Sequence, residues 1–244
     1  MMAAPDLTGK TALVTGASRG IGRSIALALA KAGAHVLALA RTPGALEELD
    51  DEIKAAGGAA SLIPMDLVEG DGIERLAGAL MERFDALDIL VLNAGSLGEL
   101  APIPDIDPKV WNHTLDLNVT ANWRLLRALD PMLRKSADAR VIGLSSRVGG
   151  EAPKPYWGIY GVTKAASDML LKTYAEEMAK TNVHVSLIAP GAMRTDMRKL
   201  AMPGEDPETL PHPDELIPLV HHLLTRKERE PLRVSFKEWR EENG

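Results

Sequence analysis

Tyr160 and Lys164 stand four residues apart, a spacing that puts both on one face of a helix, one turn from each other. A free tyrosine titrates near ~10 and is a poor base at neutral pH, but a neighbouring ammonium favours the phenolate, each pKa unit corresponding to ~1.4 kcal/mol. A tyrosine tuned in this way acts as a general acid toward a carbonyl being reduced and as a general base toward an alcohol being oxidised. A second constellation lies near the start of the chain. Gly16-Ala17-Ser18-Arg19-Gly20-Ile21-Gly22 follows the β-rich run Thr11 to Thr15, and helical spacing begins at once. Three glycines let the backbone turn sharply and approach a pyrophosphate, and the new helix offers unpaired N–H groups to the anion. Gly16, Ser18, Arg19, Gly20, Ile21 and Gly22 therefore form a candidate dinucleotide cradle.

The end of the next β-rich run, His35 to Ala40, bears on which dinucleotide would fit. An acid at that point hydrogen-bonds the ribose 2′-hydroxyl of NAD, whereas a 2′-phosphate needs a cation. Ala40 occupies the position, Arg41 follows it, and Thr42 adds a hydroxyl. Arg19, within the glycine turn, reaches the same phosphate from the other side, and guanidinium groups suit bidentate phosphate contact. Two arginines without an acid predict NADP(H) in preference to NAD(H).

These residues need a scaffold, and the rest of the chain supplies one in alternating pieces. Short runs rich in Val, Ile or Leu fall at Thr11 to Thr15, His35 to Ala40, Ser61 to Met65, Ile89 to Leu92, Arg140 to Leu144 and Val183 to Ile188. None alternates strictly between polar and apolar, as expected of strands buried on both faces. Between them lie segments of helical period, Ile21 to Ala32, Ala45 to Ala55, Gly70 to Phe84, Pro108 to Lys135 and Ile159 to Lys180. Asp107-Pro108 suits a helix start, and Pro131 is expected to bend or end the fourth helix. The alternation predicts an α/β, Rossmann-type, doubly wound parallel sheet with helices on both faces. With no linker or repeat, residues 1–244 read as a single domain. The proline-rich stretch from about 191 to 213 breaks the pattern, as either a substrate lid or a plain surface loop.

Thr15-Gly16-x-x-x-Gly20-x-Gly22 resembles the fingerprint of the short-chain dehydrogenase/reductase family in its compact, single-domain branch. The likeness continues in chain order through Asn93-Ala94-Gly95, Asn118, Ser145-Ser146, Tyr160-x-x-x-Lys164 and Pro190-Gly191. The resemblance implies that Asn118, Ser146, Tyr160 and Lys164 are catalytic. In that scheme Tyr160 is the acid/base and Lys164 its electrostatic partner. Ser146 polarises the substrate oxygen, and Asn118 bends its helix and holds a water that links Lys164 to solvent. Ser146 fits the family's Ser-Ser-x-x-Gly turn, with Ser145 as the alternative. It lies fourteen positions before Tyr160 where thirteen is usual, so an extra residue in the loop Glu151 to Trp157 must absorb the difference. The resemblance also implies that Asp66 contacts the adenine with Leu67 beside it, and that Asn93, Ala94 and Gly95 line the cofactor cleft. Pro190, Gly191, Met193 and Thr195 would hold the carboxamide of the nicotinamide. Tyr156 and Trp157 are candidates for a substrate wall or for packing elsewhere.

Composition narrows the alternatives. A formal net charge of −6, without a basic block, argues against nucleic acid. The absence of cysteine removes disulfides and thiolate chemistry. The histidines, among them His113, His184, His212, His221 and His222, show no metal spacing. Met1 to Asp6 lack an export signal, and no apolar run is long enough to span a bilayer. The expectation is a cytoplasmic enzyme without a metal, acting on a small carbonyl or alcohol. By resemblance it is a homodimer or homotetramer. The rival reading is an NADP(H)-binding sensor that does not turn over. The C-terminal end departs most from the family, although Pro231 to Phe236 could supply a last strand.

Overall fold

The computed structural model describes residues 4–149, 152–230 and 232–243. Glu151 of the expected loop and Pro231 of the expected last strand lie outside the described residues. The strands are β1 (Thr11–Thr15), β2 (His35–Ala40), β3 (Ala59–Pro64), β4 (Ile89–Leu92), β5 (Ala139–Leu144), β6 (Val183–Ala189) and β7 (Arg233–Ser235). They form one sheet in the order β3-β2-β1-β4-β5-β6-β7, and every neighbouring pair is parallel. The order reverses between β1 and β4, opening a crevice at the carboxyl ends of those strands, the usual ligand position in such sheets. The third strand begins two residues earlier than its apolar run suggested. Its terminal Pro64 is tolerated because β3 lies at the sheet edge.

Around the sheet run α1 (Gly20–Lys31), α2 (Pro43–Ala55), α3 (Gly72–Arg83), α4 (Pro108–Leu115), α5 (Ala121–Lys135), α6 (Gly158–Glu177), α7 (Asp196–Ala201), α8 (Ile217–Thr225) and α9 (Phe236–Asn243). Asp107 caps α4 through its carboxylate, which accepts from the N–H groups of Lys109 and Val110. Between α4 and α5 the helix widens into a π turn at Asp116–Thr120. Pro131 does not end α5, which continues to Lys135. Leu125, Leu126, Leu129, Met132 and Leu133 are buried on both sides of the proline, and their packing outweighs the ~3 kcal/mol helix penalty.

Successive strand residues point to opposite faces, so each face has its own core. Val14, Val36 and Ile188 join Ile25 and Leu29 of α1, Leu46 of α2, and Leu223 of α8. Leu13, Leu37 and Leu187 join Leu80 of α3, Leu125 of α5 and Leu171 of α6. Both faces of β1 are thereby dry, and its carboxyl end is held firmly against the helix that follows the glycine turn.

Candidate active site

The carboxyl edge opens into a cleft of about 900 Å³ running from the glycine turn to α6. Its floor is built at the junction of β1 and β4. The Thr15 hydroxyl donates to the Val91 carbonyl at 3.1 Å and accepts from the N–H groups of Asn93 and Ala94, each at 3.0 Å. Asn93 Nδ2 donates back to the Thr15 carbonyl at 2.8 Å and the Gly16 carbonyl at 3.2 Å. Gly16 has φ +67°, and a Cβ on Gly22 would sit 2.3 Å from both the Gly16 carbonyl oxygen and Asn93 Nδ2. Only glycine permits α1 to start so close to β4. Arg19, at the N-cap, makes no side-chain cap, which leaves donors of the first turn open to an anion. This geometry fits a dinucleotide pyrophosphate.

Ala40 ends β2, and Arg41 begins the loop on the cleft wall. Arg41 pairs with Asp66 at 3.6 Å, and Arg19 pairs with Asp196, the first residue of α7, at 3.4 Å. Both arginines are exposed, and ion pairs of this kind contribute at most about 1 kcal/mol, so either guanidinium is available to a stronger anion. Asp66 also accepts from the Val68 N–H at 3.1 Å; it does not cap α3, whose N-cap is Asp71.

At the other end Tyr160 and Lys164 are buried on the first turns of α6. Lys164 Nζ lies 5.7 Å from the centre of the Tyr160 ring and donates to the Leu144 carbonyl, at the end of β5, at 2.7 Å. The Trp157 ring meets Tyr160 edge-on at 5.7 Å. Leu97, Leu100, Val148, Met197 and Met202 complete an apolar collar around the phenol.

Asn118 sits in the π turn, nearly inaccessible to solvent. Its Oδ1 accepts from the Ser96 N–H at 2.8 Å, while Nδ2 donates to the Ser96 carbonyl at 2.9 Å and to the Thr163 hydroxyl at 2.9 Å. The amide thus ties the loop after β4 to α6, beside Lys164. Its own backbone carbonyl accepts from Asn122 Nδ2 at 2.8 Å. The widened turn falls where no proline or glycine marks it.

Gly16, Ser18, Arg19, Gly20, Ile21, Arg41, Asp66, Leu67, Asn93, Ala94, Gly95, Tyr160, Lys164, Pro190 and Thr195 all line this cleft. Gly22, Asn118, Ser146, Gly191 and Met193 are not among the residues that line it. The two serines part company. Ser145 lines the cleft, and its hydroxyl is committed, donating to Asp168 at 2.6 Å and accepting from Arg233 Nε at 3.0 Å. Among the described residues, the Ser146 hydroxyl accepts only a long bond, 3.3 Å, from the Val148 N–H. The Thr195 hydroxyl accepts from the Arg198 N–H at 3.2 Å and caps α7.

Asp168 and Arg233 escaped the sequence reading. Asp168 follows Lys164 by one further turn on the same face of α6, a spacing that would have pointed to it. Burial pushes its carboxyl above the usual range, although Ser145, Arg233 and Lys164 oppose the shift. Nothing local marks Arg233. The stretch expected to be irregular contains α7 and is tied together by the Arg198–Glu205 and Arg194–Glu208 ion pairs. Among the described residues no group of three or more His, Asp or Glu is placed to hold a metal, and no helix is long and apolar enough to cross a membrane.

The short chain dehydrogenase family profile matches residues 10–206. The oxidoreductase YciK of Escherichia coli K12 is 33% identical over 233 residues, covering 94% of this chain and 92% of its own. A 3-oxoacyl-[acyl-carrier-protein] reductase of rhamnolipid biosynthesis from Pseudomonas aeruginosa is 38% identical over 218 residues, 88% of this chain and 84% of its own. A short chain dehydrogenase from Shigella flexneri 2a, solved in complex with NADP, superposes with a TM-score of 0.90 at 32% identity, covering 96% of this chain and 98% of its own. The glycine turn, the reversed strand order and the tyrosine–lysine pair belong together: the chain is a member of the short chain dehydrogenase family of oxidoreductases.

Proposed function

We propose that this chain catalyses reversible reduction of a carbonyl group with NADP(H), using Tyr160 as acid and base. The observation that carries this reading is one cleft with two chemically distinct ends. One end has glycine-freed N–H groups flanked by Arg19 and Arg41; the other has buried Tyr160 beside buried Lys164. The NADP complex of the Shigella flexneri neighbour supports the choice of dinucleotide. NADP(H) supplies the hydride in reduction and takes it in oxidation.

Gly16, Gly20 and the first turn of α1 bind the pyrophosphate through backbone donors. Arg41 and Arg19 exchange Asp66 and Asp196 for the 2′-phosphate, which offers the stronger charge-assisted bonds. Asp66 and Leu67 flank the adenine, Asn93 to Gly95 form the cleft floor, and Pro190, Gly191, Met193 and Thr195 frame the carboxamide. Ser146 donates to the carbonyl oxygen as negative charge builds there. The Tyr160 hydroxyl delivers the proton, and the Lys164 ammonium stabilises the charge left on its oxygen. Asn118 holds the π turn and with it the water path that returns a proton to the site.

The apolar collar around Tyr160 favours a carbonyl carrying a hydrocarbon substituent over a small hydrated one. A 3-oxoacyl thioester, the substrate class in the name of the Pseudomonas relative, meets that description. Trp123 on α5, with Val162 and Met169 on α6, is exposed, which supports a homodimer through those helices in a cytoplasmic enzyme.

The test follows nicotinamide absorbance with NADPH and then NADH over a panel of ketones, aldehydes and 3-oxoacyl thioesters. NADPH turnover that falls by about a thousandfold in Tyr160→Phe is expected for a lost acid/base. Preference for NADH would overturn the roles of Arg19 and Arg41, and undiminished turnover in the variant would overturn that of Tyr160.

A further inference from the structure

Resting on that reading, we infer that Asp168 and Arg233 are positioning residues that hold the Ser145-Ser146 turn where Ser146 can reach the substrate oxygen. Ser145 is tethered at three points, by partners from three elements. Its N–H donates to the Ile188 carbonyl of β6 at 2.8 Å, its hydroxyl donates to Asp168 of α6 at 2.6 Å, and the same hydroxyl accepts from Arg233 Nε of β7 at 3.0 Å. Arg233 Nε also stands 3.5 Å from the Asp168 carboxylate. The residue before Ser145 is gripped as well, because Lys164 takes the Leu144 carbonyl. Lys164 and Asp168 lie one turn apart, so α6 holds two consecutive residues at the end of β5. Ser146 comes next, followed by a tight turn in which the Gly149 N–H donates to the Ser146 carbonyl at 3.1 Å. Its hydroxyl, with only the long Val148 contact among the described residues, is the one left to turn toward a ligand.

A purely structural join between α6 and β5 would be less costly with apolar groups, since taking charges out of water is seldom recovered by their attraction. What the charged join adds is directional constraint. The aspartate fixes the rotamer of Ser145, and the guanidinium fixes the aspartate. The C-terminal strand β7, remote in sequence from every catalytic residue, thereby completes the active site.

A double-mutant cycle with Ser146→Ala tests this. Asp168→Asn is expected to lower kcat about tenfold while leaving the KM for NADPH unchanged, and to change kcat less than about twofold when Ser146 is already alanine. Arg233→Met should behave likewise, with Arg233→Lys restoring part of the loss. An equal effect of Asp168→Asn in both backgrounds, or no effect in either, overturns the inference. Should Asp168→Asn fail to fold, Ser145→Ala removes the same tether and takes its place in the cycle. Amide hydrogen exchange at residues 145–149, measured without substrate, provides a readout independent of activity. Faster exchange in the variant than in wild type is expected, and unchanged exchange overturns the proposal. Wild-type turnover that survives in Tyr160→Phe would instead sink the functional reading, with the exchange result still deciding the role of Asp168.

Discussion

Two buried aspartates sit at opposite ends of the sheet, and their surroundings differ in kind. Asp88, just ahead of β4 at the amino edge, is amply supplied with donors. Its carboxylate accepts from the Thr11 N–H at 2.9 Å, the Ser136 hydroxyl at 2.7 Å and Lys10 Nζ at 3.0 Å. Burial alone would push this carboxyl up, but the three donors together hold it below the usual range. Asp168, at the carboxyl edge, accepts a short bond from Ser145 and has the Arg233 guanidinium at 3.5 Å, and burial wins. A carboxylate with a full donor set joins β1, β4 and the end of α5 at a net gain. A carboxylate left short is a cost to the fold, and it lies one helical turn from Lys164, a residue of the proposed active site. Stability is built at one edge of this sheet, and the proposed chemistry belongs to the other.

The largest effect that would sharpen this contrast belongs to the carboxyl edge. Lys164→Met should lower kcat by about a thousandfold, roughly 4 kcal/mol of transition-state stabilisation, with a far smaller change in thermal midpoint. Steady-state kinetics beside calorimetry separates the two. At the amino edge the pattern should invert. Asp88→Ala leaves Thr11, Ser136 and Lys10 without their acceptor and is expected to cost about 3 kcal/mol of stability with kcat nearly unchanged. Because the folded pKa of Asp88 lies below its unfolded value of ~3.9, its contribution is complete above that pH and disappears as the pH falls through the folded value. Urea titrations of wild type and variant should therefore converge in acid. Were the difference as large at pH 2 as at pH 7, the donor set would not be the source of the stability. Asp168 has the opposite sign, its charge costing stability above its unfolded pKa and costing nothing once protonated. The smallest effect concerns the cofactor alone. Arg41→Ala should raise the KM for NADPH about tenfold, ~1.4 kcal/mol, and leave that for NADH alone. An equal rise for both would remove Arg41 from the 2′-phosphate site.

The contrast also marks how far local reading reaches. Apolar runs buried on both faces announced the parallel sheet, and the glycine turn between β1 and α1 announced the cradle, because strand burial and tight turns are short-range properties of the chain. Pro131 shows where such signals stop, since it does not end its helix. Its local penalty is real, yet buried leucines on either side carry α5 through it. The irregularity that the resemblance attached to Asn118 is a π turn at Asp116–Thr120, where Asn118 bonds across the molecule to Ser96 and Thr163. The extra residue between Ser146 and Tyr160 left open which serine is free. That choice turns on Asp168 and Arg233, which come together only when β7 pairs with β6.

From its residues alone, then, the chain determined its strands, its cradle and the Tyr160–Lys164 face, since each depends on spacings of a few residues along one element. Tertiary structure decided which hydroxyl is tethered, where the long helix widens and how the C-terminal strand enters the site. Those are contacts between groups far apart in sequence, and only the packed sheet sets their distances.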